Sequence, residues 1–165
     1  MAHIKYGKLN FIIASYPNNI NDLISTIQRY KITDIVKACE KTYDTTEVEK
    51  FCTLHELVFD DGRVPSHELI LSWINILAKS FYSTDSENGI LIHCVAGIGR
   101  APSLAAIALI VCENVEPLDC IDLIRKRIRY AFNTVQLHFL TNTNWRIYKK
   151  VFKKKIGSTF FCICC

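Results

Sequence analysis

The sequence predicts an α/β domain built on a central, mainly parallel sheet flanked by helices, and three observations carry that prediction. Short apolar runs alternate along the chain with segments of helical periodicity. One run, Ile90-Leu91-Ile92, is apolar without alternation, as in a strand covered on both faces. The length of 165 residues suits a single domain, and a chain that is 50% apolar and 22% charged has a globular composition.

Phe11-Ile12-Ile13-Ala14 is the first strand. Pro17-Asn18-Asn19 is turn chemistry, and an asparagine there can cap the helix that follows, whose Ile20, Leu23, Ile24, Ile27 and Tyr30 share one face. Ile35-Val36 belongs to a second strand ending near Cys39, and residues 54–59 alternate as a third. Pro65-Ser66 opens a long helix with Leu69, Ile70, Trp73, Ile76 and Leu77 along its apolar stripe, and Gly89 breaks the chain before the central strand. Helices are expected over about 101–113, 117–129 and 134–150, giving a domain over 1–152 and a tail over 153–165. The longest apolar run, Leu104 to Cys112, falls well short of the roughly 18 residues of a membrane-spanning helix and reads as a buried one.

The formal net charge of +4 hides a split. Residues 1–122 carry ten basic and sixteen acidic side chains, whereas residues 123–165 carry ten basic and no acidic ones. The C-terminal part therefore calls for an anionic partner. The eight cysteines do not form a secreted disulfide framework, because Met1-Ala2-His3-Ile4-Lys5 leads into no long apolar stretch and no small-residue cleavage site. A reducing, intracellular location is the expectation. No nucleic-acid recognition module accompanies the basic end, so nucleic acid is not an expected partner.

The informative segment is His93-Cys94-Val95-Ala96-Gly97-Ile98-Gly99-Arg100, a cysteine and an arginine separated by five residues between a buried strand and a helix. A loop wrapped round a helix N-terminus aims backbone N–H groups at one point, and the helix dipole adds positive potential there. Gly97 and Gly99 let the backbone curl without Cβ clashes. Arg100 can fork two donors onto phosphate oxygens. The same field favours a thiolate: cysteines in such settings titrate at roughly 3.5–7.5 instead of about 8.5. The chemistry implied is attack of the Cys94 sulfur on phosphorus, giving a phosphocysteine that water hydrolyses. A leaving oxygen also needs a proton. Asp60-Asp61-Gly62 alone reads as a solvated turn, but with a phosphate loop about thirty residues downstream it reads as a mobile acid loop. No metal or organic cofactor is expected, because sulfur, guanidinium and carboxyl group supply the chemistry. Cys52, Cys112 and Cys120 are assigned to packing.

Residues 93–100 resemble the signature loop of the cysteine-based protein tyrosine phosphatases. The longer stretch 93–102, ending in Arg100-Ala101-Pro102, is similar to that of the phosphatases of regenerating liver (PRL), a prenylated group within the dual-specificity phosphatase fold. Cys39-Glu40-Lys41-Thr42-Tyr43-Asp44-Thr45-Thr46 resembles a second segment of that group, Phe59-Asp60-Asp61-Gly62 its acid loop, and Ala131-Phe132-Asn133 with Gln136-Leu137 its late helical region. The resemblance covers roughly residues 9–140 and the tail. It implies that Asp61 is the general acid and Asp60 structural. It also implies slow turnover, because Ala101 stands where most relatives of the fold carry a hydroxyl that eases breakdown of the phosphocysteine. Cys39 and Cys94 should end neighbouring parallel strands on one rim. The resemblance implies a reversible disulfide between them, the alternative being a buried free Cys39. Substrates implied are proteins carrying phosphotyrosine, or phosphoserine and phosphothreonine, and the basic tail makes a phosphoinositide a rival by setting the site beside lipid headgroups. The group's other implied activity is binding of cyclin-M-type magnesium transporters, with a partner's acidic residue in the same pocket. Arg129 and Phe132 match positions near that surface, and Tyr130 stands where the group has glycine. Homotrimers at a membrane are a further implication.

Cys162-Ile163-Cys164-Cys165 fits a C-a-a-X prenylation box with Cys162 as the modified residue. Arg146, Lys149, Lys150, Lys153, Lys154 and Lys155 precede it without an acid among them. One lipid chain anchors only marginally, so a polybasic second signal is expected, each residue adding about 1 kcal/mol at an anionic leaflet. The alternative is a solvated helix face and an inert end. The expected location is the cytoplasmic face of plasma and endosomal membranes, with a soluble cytoplasmic or nuclear pool without the lipid. The group usually ends in Gln or Met, so Cys165 leaves the isoprenoid open.

Overall fold

The computed structural model describes residues 1–82 and 88–161. Its strands are β1 (Ala2–Tyr6), β2 (Leu9–Ala14), β3 (Ile32–Lys37), β4 (Thr53–Glu56) and β5 (Gly89–His93). Its helices are α1 (Ile20–Arg29), α2 (His67–Tyr82), α3 (Arg100–Cys112), α4 (Pro117–Arg125), α5 (Thr134–Asn142) and α6 (Trp145–Phe161). The sheet runs in the order β1-β2-β5-β3-β4, antiparallel at β1–β2 and parallel elsewhere. This is the expected mainly parallel α/β architecture.

The period-2 alternation of strands divides the core. Phe11 and Ile13 of β2, Ile90 and Ile92 of β5 and Val36 of β3 join a large cluster with α2 to α6. Ile12, Leu91 and Ile35, on the opposite face, pack with Leu23 and Ile27 of α1 and with Val48 and Cys52. Helix α3 lies inside the larger layer, buried from Arg100 to Val111. Trp73 of α2 donates its indole N–H to Leu104 O at 2.8 Å, which fixes α2 against α3.

Four expectations need correction. β1 was not expected: it is a short edge strand that buries only Ala2 and Ile4 and turns into β2 through Gly7, whose φ of +54° a side chain would resist. The helix expected over 134–150 is two helices. Thr143 leaves helical geometry at ψ 138°, and polar side chains share the last carbonyls with the backbone: the Thr143 hydroxyl and N–H both donate to Phe139 O, and the Asn142 amide to His138 O. The helix expected to reach Arg129 ends at Arg125, because the chain beyond is pinned elsewhere: Arg125 Nε donates to Ala131 O and Phe132 N–H to Ile98 O. Finally, α6 continues through Lys153, Lys154 and Lys155 to Phe161, so these lysines sit on a helix.

Candidate active site

Neighbouring parallel strands β3 and β5 bring the two segments that follow them onto one rim, with Lys37 paired to His93. Cys94 leaves β5 and Cys39 follows β3; both are buried free thiols. Burial pushes the Cys39 thiol up, Arg100 pulls it back, and the neighbouring Cys94 adds to the rise.

Residues 94–99 curl over the N-terminus of α3. Gly97 has φ +73°, and a Cβ there would lie 2.9 Å from the backbone of Ala14 and Ser15. The turn thus needs glycine for conformation and for space. Gly97 N–H points at the Cys94 sulfur at 3.2 Å. The loop is pinned from both sides, because Val95 O accepts from Tyr16 N–H at 3.0 Å and Ile98 O from Phe132 N–H at 2.9 Å. Behind it, His93 is fully buried and burial holds its pKa down at about 4, so its ring is neutral at neutral pH. It shares a 3.2 Å hydrogen bond with the Tyr43 hydroxyl.

Arg100, the first residue of α3, is only 1% exposed. It donates through Nη1 to Glu40 Oε2 at 2.8 Å and to Phe59 O at 3.1 Å, and its Nε faces Asp61 Oδ1 at 3.3 Å without a hydrogen bond's alignment. Burial disfavours its charge, but Glu40, Asp61 and Cys94 more than compensate and its pKa lies above the ordinary value. Cys94, Ala96, Ile98, Gly99, Asp61, Gly62, Tyr130, Phe132, Asn133 and Gln136 line one pocket of about 370 Å³. Asp60 is not among its walls.

The structure therefore brings together Cys94, the 95–99 loop, Arg100, Asp61 and Phe132. Arg129 stands outside the pocket with its guanidinium 5.4 Å from the Tyr130 ring centre. Lys149, Lys150 and Lys153 to Lys155 lie on α6, and Cys162 lies outside the described residues. Ala101, the residue after Arg100 in α3, is fully buried and carries no hydroxyl. Ser103 is committed elsewhere, since its hydroxyl donates to Gly99 O at 2.9 Å.

Three contributors were not assigned a role from sequence. Glu40 pairs with Arg100. Asn133 and Gln136 cap α5 reciprocally, and each reaches the segment after Asp61: Asn133 Nδ2 donates to Gly62 O at 2.9 Å and Gln136 Nε2 to Arg63 O at 3.2 Å. Gln136 is 1% exposed and also fills the space beside Gly99, so it braces the 60–63 segment against the 94–99 loop. The Asn133-x-x-Gln136 spacing is a readable helix-start signature; its second duty is not.

The protein-tyrosine phosphatase family pattern matches residues 15–143. The chain is 38% identical over 143 residues to mouse protein tyrosine phosphatase type IVA 2, covering 84% of each. It is 39% identical over 135 residues to the probable protein tyrosine phosphatase type IVA A of Dictyostelium discoideum, covering 80% of each. The Drosophila melanogaster PRL-1 phosphatase is 35% identical over 142 residues, covering 84% of this chain and 80% of its own. Among solved structures, a putative protein tyrosine phosphatase from Leishmania major superposes with a TM-score of 0.74 at 34% identity, covering 82% of this chain and 88% of that one. DUSP15 shares the fold at TM-score 0.69 and 19% identity, over 88% of this chain and 92% of its own.

Proposed function

This chain belongs to the PRL-type protein tyrosine phosphatases, and on that premise we propose that Cys94, Arg100 and Asp61 carry the hydrolysis of a phosphate monoester in this pocket. Cys94 and Asp61 line one cleft, the buried Arg100 reaches Asp61 at 3.3 Å, and Gly97 N–H is aimed at the sulfur, which supports the reading. Arg100 and the loop amides hold the phosphate oxygens. The Cys94 thiolate attacks phosphorus; the S–P bond forms as the ester P–O bond breaks, and Asp61 passes its proton to the leaving oxygen. Water then attacks phosphorus, Asp61 takes the water's proton, and Cys94 departs as thiolate. With Ala101 and not a serine or threonine following Arg100, that position offers the departing sulfur no hydroxyl donor, so the phosphocysteine is long-lived. Rapid acid quench of enzyme mixed with a ³²P-labelled phosphotyrosine peptide should trap label on Cys94, and Ala101→Ser should shorten its lifetime. No label on the unsubstituted protein sinks this account of slowness.

A second reading is an anion receptor that takes a partner's acidic side chain, as for a cyclin-M-type transporter. It is favoured by one observation: Arg100 already holds carboxylates of its own chain, Glu40 and Asp61. Asp61→Ala should harm turnover more than partner binding, whereas replacing Arg100 should harm both. Equal losses for Asp61→Ala would reject this division. We extend the reading to a Cys162-linked isoprenoid, to the basic face of α6 on an anionic cytoplasmic leaflet, and to a reversible Cys39–Cys94 disulfide. Mass spectrometry of protein from eukaryotic cells, reduced and oxidised, tests the lipid and the disulfide together.

A further inference from the structure

We infer that Tyr130 is a specificity residue, an aromatic wall that selects aryl phosphate esters over alkyl ones at the mouth of the Cys94 pocket. The inference rests on the phosphatase reading of that pocket. It begins with how the 126–133 connection is held. Ala131 is fixed at both backbone groups, its N–H donating to Ile128 O at 3.0 Å and its carbonyl accepting from Arg125 Nε at 3.1 Å. Phe132, 6% exposed and at φ +69°, is tied to the phosphate loop through Ile98 O. The two residues after Tyr130 are thus anchored to the core and to the loop that binds phosphate. Tyr130 itself is 73% exposed and still lines the pocket.

A ring that exposed gains little from the fold, and the Arg129 guanidinium approaches it at 5.4 Å from the ring centre. What remains is its place. Cys94, Gly99, Asp61 and Gly62 line the same pocket as the apolar Ile98, Tyr130 and Phe132. When a phosphoryl group sits on Cys94, the ester oxygen faces Asp61 and its substituent extends to the mouth. A phenyl substituent there meets the Tyr130 ring, whereas the short chain of a phosphoserine presents no face to stack. Ring–ring contact favours the aryl ester by about threefold to tenfold.

The test is ligand titration of the whole chain, following the chemical shifts of the loop amides, with inorganic phosphate and with phenylphosphonate. Phenylphosphonate should bind the unsubstituted protein more tightly than inorganic phosphate. Tyr130→Ala should cut that preference by about threefold to tenfold, and Tyr130→Phe should keep it. With phosphopeptides of one sequence, Tyr130→Ala should lower kcat/KM for phosphotyrosine and leave the phosphothreonine value within about twofold. An unchanged preference in Tyr130→Ala, or a parallel fall for both ligands, overturns the role of Tyr130 alone. Failure of the unsubstituted chain to bind inorganic phosphate overturns the phosphate-loop reading as well.

Discussion

Gln136 makes the sharpest test of how the site is assembled, because its side chain is buried and touches no predicted reacting atom. Gln136→Ala removes two hydrogen bonds, Nε2 to Arg63 O at 3.2 Å and Oε1 from Asn133 N–H at 3.1 Å. Each neutral bond is worth about 1 kcal/mol net, and the buried partners left behind add a further cost, so the domain should lose about 2–3 kcal/mol. For a chain of this size that lowers Tm by roughly 5–10 °C. The Arg63 contact is the part that reaches the acid loop. Losing about 1 kcal/mol of placement should reduce phosphoenzyme formation about fivefold. The assay is single-turnover kinetics with a phenolic ester below the melting transition, in a cycle with Asp61→Ala. If Gln136 acts by placing Asp61, then in the Asp61→Ala background its removal should cost less than about twofold. A fivefold loss that persists without Asp61 would refute the argument, as would a lower Tm with unchanged kinetics.

Gly97→Ala should weaken inorganic phosphate binding more than tenfold in the same titration, since its φ of +73° and the 2.9 Å approach of Ala14 force the loop to open. Gly157→Ala on α6, where nothing lies within 4 Å, should instead raise Tm slightly through helix propensity, about 1 kcal/mol at most. His93 sets an acid limit on the fold. Its pKa falls to about 4 on burial, so between pH 6.5 and 4 the unfolded chain binds the extra proton and stability drops as pH falls. Denaturant titrations should lose about 3 kcal/mol over that window, and His93→Asn should flatten the slope.

What the sequence disclosed and what it hid divide by distance along the chain. Cys94, Gly97, Gly99 and Arg100 sit in one short segment between an apolar run and a helix, so local spacing identifies them. β2 and β5 are apolar on both faces and announce themselves, and β3 is marked by Ile35-Val36, one apolar residue for each face. β1 shows only Ala2 and Ile4 between polar residues, a pattern shared by many loops, and it becomes a strand because β2 offers it an edge. Thr141-Asn142-Thr143-Asn144 carried a readable break between α5 and α6, masked by continuous apolar periodicity on either side. Glu40, Asn133 and Gln136 were beyond local reasoning, since each acts on a residue 60 to 73 positions away.

Those distant contacts explain how a guanidinium can be buried at the head of α3. A buried charge is tolerated only with partners, and Arg100 has Glu40 and Asp61. Its side chain is 1% exposed, while theirs are 71% and 80% exposed. The cation is therefore fixed and its counterions stand on segments open to water, each able to withdraw into solvent at little cost. On the proposed function, an incoming phosphate dianion would replace one set of oxygens by another round a stationary arginine. Binding is then a difference between two ionic arrangements, and the site favours the ligand with more negative oxygens in reach of Arg100 and the loop amides. The two proposed roles, a catalytic cycle and the capture of a partner's carboxylate, would draw on this same exchange. They part only at Asp61: the first needs it over the leaving oxygen, and the second needs it merely out of the way.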